Sequence, residues 1–275
     1  VGIDLGGTFI KGGIVDDLGN IICQDKTPTE SEFGAGRVAL NIANLVKMLL
    51  ETNPKIASIV LNVNKKPNNE ILGLKCITLY GKDTIRDTLC GVSFDISPLS
   101  FYQINHDGAE VLYRTAAEFA ELTEGDTLLD LYCGVGTIGL SLAHKAGKLI
   151  GVEVIPAAVE NAKENARRNG VNNAEFICAD AGEAAKKLAA ENMKPDVVIV
   201  DPPRKGCGED VIEAMKTLSP RRIVMVSCNS ATAARDCARL AEIGYTGTLN
   251  FETEPHTAPL DTETAAYKRS AAPLS

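Results

Sequence analysis

From Thr127 onward the chain alternates short apolar runs with helical stretches, and this rhythm limits the possible folds more than any other feature. The runs are Thr127–Leu131, Lys148–Glu153, Glu175–Ala179, Val197–Val200 and Arg222–Val226, and helices are expected to begin near Thr137, Pro156, Ala181, Glu209 and Ser230. Short buried strands separated by helices build a mainly parallel sheet covered on both faces. Ligands of such sheets sit at the strand C-termini, where the strand order switches.

That rule gathers four stretches around one crevice. The first strand delivers TLLDLYCGVGTIGL, in which Tyr132, Gly134 and Gly136 form a tight turn into a helix N-terminus. Glycines let a backbone approach a ligand closely, and a helix start offers unpaired N–H groups. Alone, such a turn is equally a piece of βα geometry. Glu153 ends the second strand and is placed to hold both hydroxyls of a ribose; Asp180 ends the third, within reach of a base amine. Taken singly, Glu153 is a solvated strand-end acid and Asp180 a helix N-cap. Asp201 opens DPPRKG after the fourth strand, where two prolines stiffen the backbone. Acids at several strand ends behind a glycine turn favour a ligand with a ribose and an adenine. The lack of a basic phosphate anchor disfavours NAD. S-adenosylmethionine, a sulfonium cation without phosphates, suits an acidic crevice better.

The fifth strand ends in VSCNSAT, placing Cys228 at a helix start, where the dipole and amides favour a thiolate. Cys76, Cys90, Cys133, Cys178, Cys207 and Cys237 read as small buried thiols. No C-x-x-C occurs and the three histidines are scattered, which argues against a metal centre and for reduced cytosolic thiols.

Upstream, Asp107–Leu122 has the apolar spacing of a helix, and short runs at 57–63, Cys76–Tyr80, Thr84–Thr88 and Val92–Ile96 read as a small antiparallel unit. Residues 1–20 read as two strands joined by a glycine-rich hairpin, followed by a strand at Cys23–Glu30 and a helix at Gly36–Leu50. Their D-x-G-G-T-x-x-K pattern, Asp4 to Lys11, resembles the phosphate loop that opens ROK family sugar kinases. The resemblance implies ATP-dependent sugar phosphorylation as an alternative activity, with Asp4, Gly6, Gly7 and Thr8 at phosphate and Mg²⁺.

Between about Asn53 and Tyr245 a second resemblance is broader. FYQIN, DLYCGVGTIGL, GVEVIP, VDPPRKG and VSCNSATAARD are similar to the ordered motifs of bacterial 23S rRNA (uracil-5-)-methyltransferases. This implies a Rossmann-like S-adenosylmethionine-dependent methyltransferase sheet, with RNA as partner. By motif, Gln103, Tyr132, Glu153 and Asp201 fall on cofactor-binding positions, with Gly134 and Asp180 beside them, and Cys228 on the nucleophile. The family's general base is a Glu in a closing stretch. Glu263, 35 residues after Cys228, takes that place here, with Glu254 and Asp261 as rivals. Tyr102 and Arg204 are candidates to contact a flipped base or a neighbouring phosphate, or else to pack or pair with an acid.

The expected organisation is a kinase-like segment over 1–51, a small β-rich subdomain over 52–105 and the catalytic α/β domain over 106–275. The net charge of −8 argues mildly against a polyanion partner, an objection softened by Lys65-Lys66, Arg167-Arg168, Arg204-Lys205 and Arg221-Arg222. No run approaches a membrane span and the start lacks a signal-peptide pattern, so a cytoplasmic protein is expected. A cofactor-binding module without catalysis is the remaining alternative.

Overall fold

The computed structural model describes residues 2–5, 7–15, 21–52, 56–63, 73, 75–103, 105–245 and 248–253, with backbone alone at 2–4, 15, 21, 22 and 248–253. Contacts divide the chain into two compact units, residues 1–85 with 97–99, and residues 86–96 with 100–275.

In the first unit β1 (Gly2–Leu5), β2 (Phe9–Val15) and β3 (Ile21–Pro28) form an antiparallel meander. The helix α1 (Ala35–Thr52) lays Ile42, Leu45, Val46 and Leu49 on Ile10 and Ile14 of that sheet. The helix comes so close at Gly12 that a Cβ there would stand 3.0 Å from Leu49 Cδ1, giving this glycine a packing role. Of the phosphate-loop pattern, Gly6 and the Asp4 side chain lie outside the described residues, while Gly7 and Thr8 are exposed. β4 (Ser58–Val63) and β5 (Lys75–Gly81) pair antiparallel.

The second unit opens with the hairpin of β6 (Ile85–Leu89) and β7 (Val92–Ile96), then α2 (His106–Ala120). Regular alternation follows: β8 (Thr127–Leu131), α3 (Thr137–Leu142), β9 (Lys148–Glu153), α4 (Pro156–Arg168), β10 (Ala174–Cys178), α5 (Ala181–Ala190), β11 (Val197–Val200), α6 (Glu209–Leu218), β12 (Arg222–Ser227), α7 (Ser230–Glu242) and β13 (Thr248–Thr253). The helices start where the sequence places them, at a proline N1 for α4 and at side-chain caps for α5 and α7. The strands form one parallel sheet in the order β10-β9-β8-β11-β12-β13. β13 is an addition to the five strands expected. Its TLNFET sequence mixes polar residues into a short run, so its pairing with β12 has only a weak local signal.

Alternate residues of each strand serve two cores. Leu129, Leu131, Ile150, Val152, Val198, Val200, Ile223 and Met225 pack beneath α5, α6 and α7. Leu128, Leu149, Val197, Ile199, Val224 and Val226 pack beneath α2 and α3, with Ala166 of α4. The chain builds outward from β8 in one direction, then crosses to β11 and builds in the other, so the switch point lies between the C-termini of β8 and β11. Among the described residues no helix is long and apolar enough to cross a membrane.

Candidate active site

The period of two along a strand decides which side chains meet at the switch point. Asp130 shares the face of Leu128. Glu153, the last residue of β9, shares the face of Leu149; Asp201, one past β11, continues that of Ile199. Cys228, one past β12, continues the face of Val224 and Val226. Two carboxylates and a thiol therefore end three strands, and Asp130 stands one residue before the end of β8, all on the side of the sheet that α2 covers.

The glycine turn is fixed from several directions. Tyr132, Gly134 and Gly136 have φ of 65°, 56° and 83°, all left-handed. The Cys133 N–H donates to the Val152 carbonyl (3.0 Å), and the Gly134 N–H to Glu153 Oε2 (3.1 Å). Asn165 on α4 donates to the Val135 carbonyl (3.2 Å) while its Oδ1 accepts from the Asp95 N–H on β7 (2.8 Å). Glu153 Oε1 also accepts from the Ile155 N–H (2.8 Å), so the acid assigned to a ribose is already oriented by two amides.

The left-handed turn at Tyr132 carries its ring across the sheet, where it packs against the α5–α6 core instead of the carboxylate face. Asp180, Asp210, Cys207 and Asp236 surround its hydroxyl electrostatically and, with burial as the largest cause, hold its pKa above the usual tyrosine range. Asp180 caps α5, its Oδ1 accepting from the N–H groups of Gly182 (2.9 Å) and Glu183 (3.3 Å). Tyr132 and Asp180 thus lie on one face of the sheet, and Asp130, Glu153 and Asp201 on the other.

Asp130 is fully buried. Its Oδ2 accepts from the Gly139 N–H (2.9 Å), whereas its Oδ1 has no partner among the described residues. Burial first, then the charges of Asp201 and Glu153, push its pKa up to about 7. An acid in the middle of an apolar strand was visible in the sequence but received no role there. An orphaned buried carboxylate oxygen beside two more carboxylates fits a ligand with a positive charge and hydroxyl donors, and repels a phosphate. The cofactor inferred from the sequence has that chemistry.

Cys228 is half-buried and stands one residue before the N-cap of α7. Asn229 is the cap, and its Oδ1 takes the N–H groups of Ala231 (3.0 Å) and Thr232 (3.4 Å). Two of the amides expected to stabilise a thiolate are therefore committed to Asn229. Ser227 accepts from the Asn229 N–H and donates to its carbonyl, both at 3.1 Å, pinning the backbone on either side of the cysteine. Burial raises the thiol pKa of Cys90, takes Cys207 to about 12 and Cys237 to about 11, and lifts Cys133 well above its ordinary range, consistent with structural thiols.

Gln103 is half-buried on the segment leading into α2, two residues before the Asn105 cap. Tyr102 donates to Asp87 (3.0 Å), which is the packing and pairing role weighed for it. Arg204 is exposed, and among the described residues it makes no ion pair. Glu263, Glu254 and Asp261 lie outside the described residues. Sequence reasoning passed over Asn165, and also Tyr113 and Thr137, the hydroxyls of which meet each other at 2.9 Å near Asp130 and Asp201; it assigned no separate roles to Arg235 and Asp236. Thr137, Arg235 and Asp236 do fall inside the quoted motifs, whereas Asn165 and Tyr113 lie in none of them.

The tRNA (uracil-5-)-methyltransferase family model matches residues 82–257. An uncharacterized RNA methyltransferase of Staphylococcus aureus is 50% identical over 198 residues, which is 72% of this chain and 44% of that protein. One from Oceanobacillus iheyensis is 46% identical over 201 residues, again covering 44% of its length. The chain thus spans less than half the length of these relatives. Among solved structures, the Pyrococcus abyssi tRNA (uracil-54, C5)-methyltransferase in complex with S-adenosyl-L-homocysteine superposes with a TM-score of 0.60 at 25% identity, covering 91% of this chain and 73% of that one. A putative SAM-dependent methyltransferase from Streptococcus mutans (TM-score 0.51, 13% identity, 77% of this chain and 58% of that one) shares the fold. The α/β sheet is a SAM-dependent methyltransferase fold, and the chain belongs to the tRNA (uracil-5-)-methyltransferase family.

Proposed function

We propose that this crevice binds S-adenosylmethionine and methylates C5 of a uracil in RNA, with 23S rRNA as the substrate and the cytoplasm as the place of action. The observation that carries the reading is the convergence of Glu153, Asp201 and Cys228 at the ends of three strands on one sheet face, beside a carboxylate-tethered glycine turn. The bound cofactor supplies an electrophilic methyl group on a sulfonium. Glu153 and Asp201 orient it, Gln103 approaches from the segment before α2, and Tyr132 and Asp180 take the opposite face.

Uracil C5 is a poor nucleophile, and Cys228 answers that difficulty. Its thiolate adds to C6, the electron pair passes to the C4 oxygen, and C5 gains the nucleophilicity to take the methyl. A base then removes the C5 proton and the sulfur–C6 bond breaks, restoring the thiolate. Glu263 is the proposed base. The target base must leave its stack to reach Cys228.

Incubation with labelled cofactor and 23S rRNA fragments is expected to give 5-methyluridine. Cys228→Ala should abolish transfer while cofactor affinity, read by calorimetry, stays unchanged. Cofactor binding with no transfer in either protein would leave a binding module instead. Glu263→Gln should leave methylated RNA covalently held through denaturing electrophoresis; free product at the normal rate would remove Glu263 from the mechanism. The sugar-kinase alternative rests on the Asp4–Lys11 pattern alone, and requires glucose-dependent ATP consumption that Asp4→Ala abolishes.

A further inference from the structure

The DPPRKG turn between β11 and α6 is gripped by a helix that lies later in the chain. Asp236 on α7 is completely buried, and its Oδ2 accepts from the Cys207 N–H at 2.7 Å. Its Oδ1 accepts from Arg235 Nε (2.9 Å) and Nη2 (2.8 Å), and the same Nη2 donates to the Lys205 carbonyl (2.8 Å). The two side chains thus hold the backbone groups on either side of Gly206. At Gly206 φ is +81°, and a Cβ would lie 2.3 Å from Arg235 Nη2 and 2.4 Å from Asp236 Oδ2. A hydrogen bond from the Gly206 N–H to the Pro203 carbonyl (2.7 Å) closes the turn from within.

The turn begins at Asp201, and the helix that grips it is entered at Cys228. We propose that Arg235 and Asp236 are positioning residues which, through the backbone of Lys205–Cys207, hold Asp201 and Cys228 in fixed register. This rests on the reading of Cys228 as nucleophile and Asp201 as cofactor ligand. The pair joins a fully buried carboxylate to an exposed guanidinium, so desolvation of Asp236 offsets much of the attraction and stability alone is a poor account of it. Directional bonds to two backbone groups flanking one glycine do what apolar packing cannot: they set the distance between two loops.

Asp236→Asn keeps an oxygen for Cys207 but sets an amide against the guanidinium. Gly206→Ala pushes the turn off the helix and removes no charge. Iodoacetamide labelling with peptide mapping needs neither RNA nor turnover, and is run beside methyl-transfer kinetics on the full chain. Both variants are expected to label Cys228 and Cys207 about fivefold faster, with Cys133 unchanged as the internal control. kcat should fall about a hundredfold, with the cofactor KM little altered. Arg235→Lys, which keeps the charge and one donor, should fall between, and the double variant should be no worse than Asp236→Asn alone. Equal acceleration at Cys133, unchanged labelling at Cys228, or a retained kcat in folded Asp236→Asn overturns the proposal. An unmodified protein that transfers no methyl group refutes the functional reading instead, and the labelling still judges the clamp.

Discussion

The glycine turn after β8 and the DPPRKG turn after β11 face each other across the switch point, yet they are built by different means. The first takes its shape from its own residues, three of them in left-handed conformation, and is tied down by Glu153 of the neighbouring strand and Asn165 of the following helix. The second has proline stiffness and one glycine, and depends on two side chains about thirty residues further on, a sequence separation visible in the Lys205–Arg235 bond. What differs is how much of each shape lies in the turn's own residues: that part can be read locally, whereas a holder thirty residues on, Asn165 as much as Arg235, is legible only through the fold that brings it near.

The largest test of this contrast is on the glycine side. Asp130 binds a proton in the folded protein up to about pH 7, while in the unfolded chain it loses that proton near 4. Between those values the folded state carries the extra proton, so stability should fall as pH rises through the window, at a limiting slope of about 1.4 kcal/mol per pH unit. Asp130→Asn should flatten that limb in denaturant titrations; an unchanged limb would assign the dependence elsewhere. Next, Glu153→Ala removes the acceptor of two loop amides and is expected to weaken cofactor binding by about a hundredfold, or about 2.7 kcal/mol by calorimetry. A weakening of the same size that spares cofactor but lowers the unfolding midpoint would make Glu153 a purely structural tether.

A smaller effect separates conformation from contact. Gly134 and Gly136 both need positive φ, but a Cβ at Gly134 meets nothing within 4 Å, whereas one at Gly136 stands 3.0 Å from Leu140 Cδ1. Gly134→Ala should cost about 1 kcal/mol of stability from strain alone, and Gly136→Ala measurably more; equal losses would show that conformation decides both. The smallest effect belongs to the tip of the other turn. Arg204→Ala should leave cofactor affinity unchanged and lower the slope of log affinity for RNA against log salt by about one.

The strands β8 to β12 and the helix starts at Thr137, Pro156, Ala181, Glu209 and Ser230 were legible because periodicity and caps are local signals. β13 was not, since its partner strand supplies the order that its mixed sequence does not. Glu153, Asp201 and Cys228 could be picked out as strand-end residues, but not their shared face, which depends on where each strand stops. The displacement of Cys228 from the helix cap followed from Asn229, a better cap by its side-chain oxygen. Asn165 lies in no motif, and Asp236 closes the VSCNSATAARD motif without its role being written there. Each becomes meaningful only as a polar group sealed in the core with backbone partners far along the chain.

Tyr132's left-handed backbone has one more consequence. By sending its ring beneath α5 while its neighbours Asp130 and Glu153 stay on the opposite face, it makes the crevice modular. A base held at Asp180 and a ribose held at Glu153 would then be gripped from opposite faces of the sheet at once without competing. The affinity of the whole cofactor would owe as much to the covalent link between its parts, acting as effective concentration, as to any single contact.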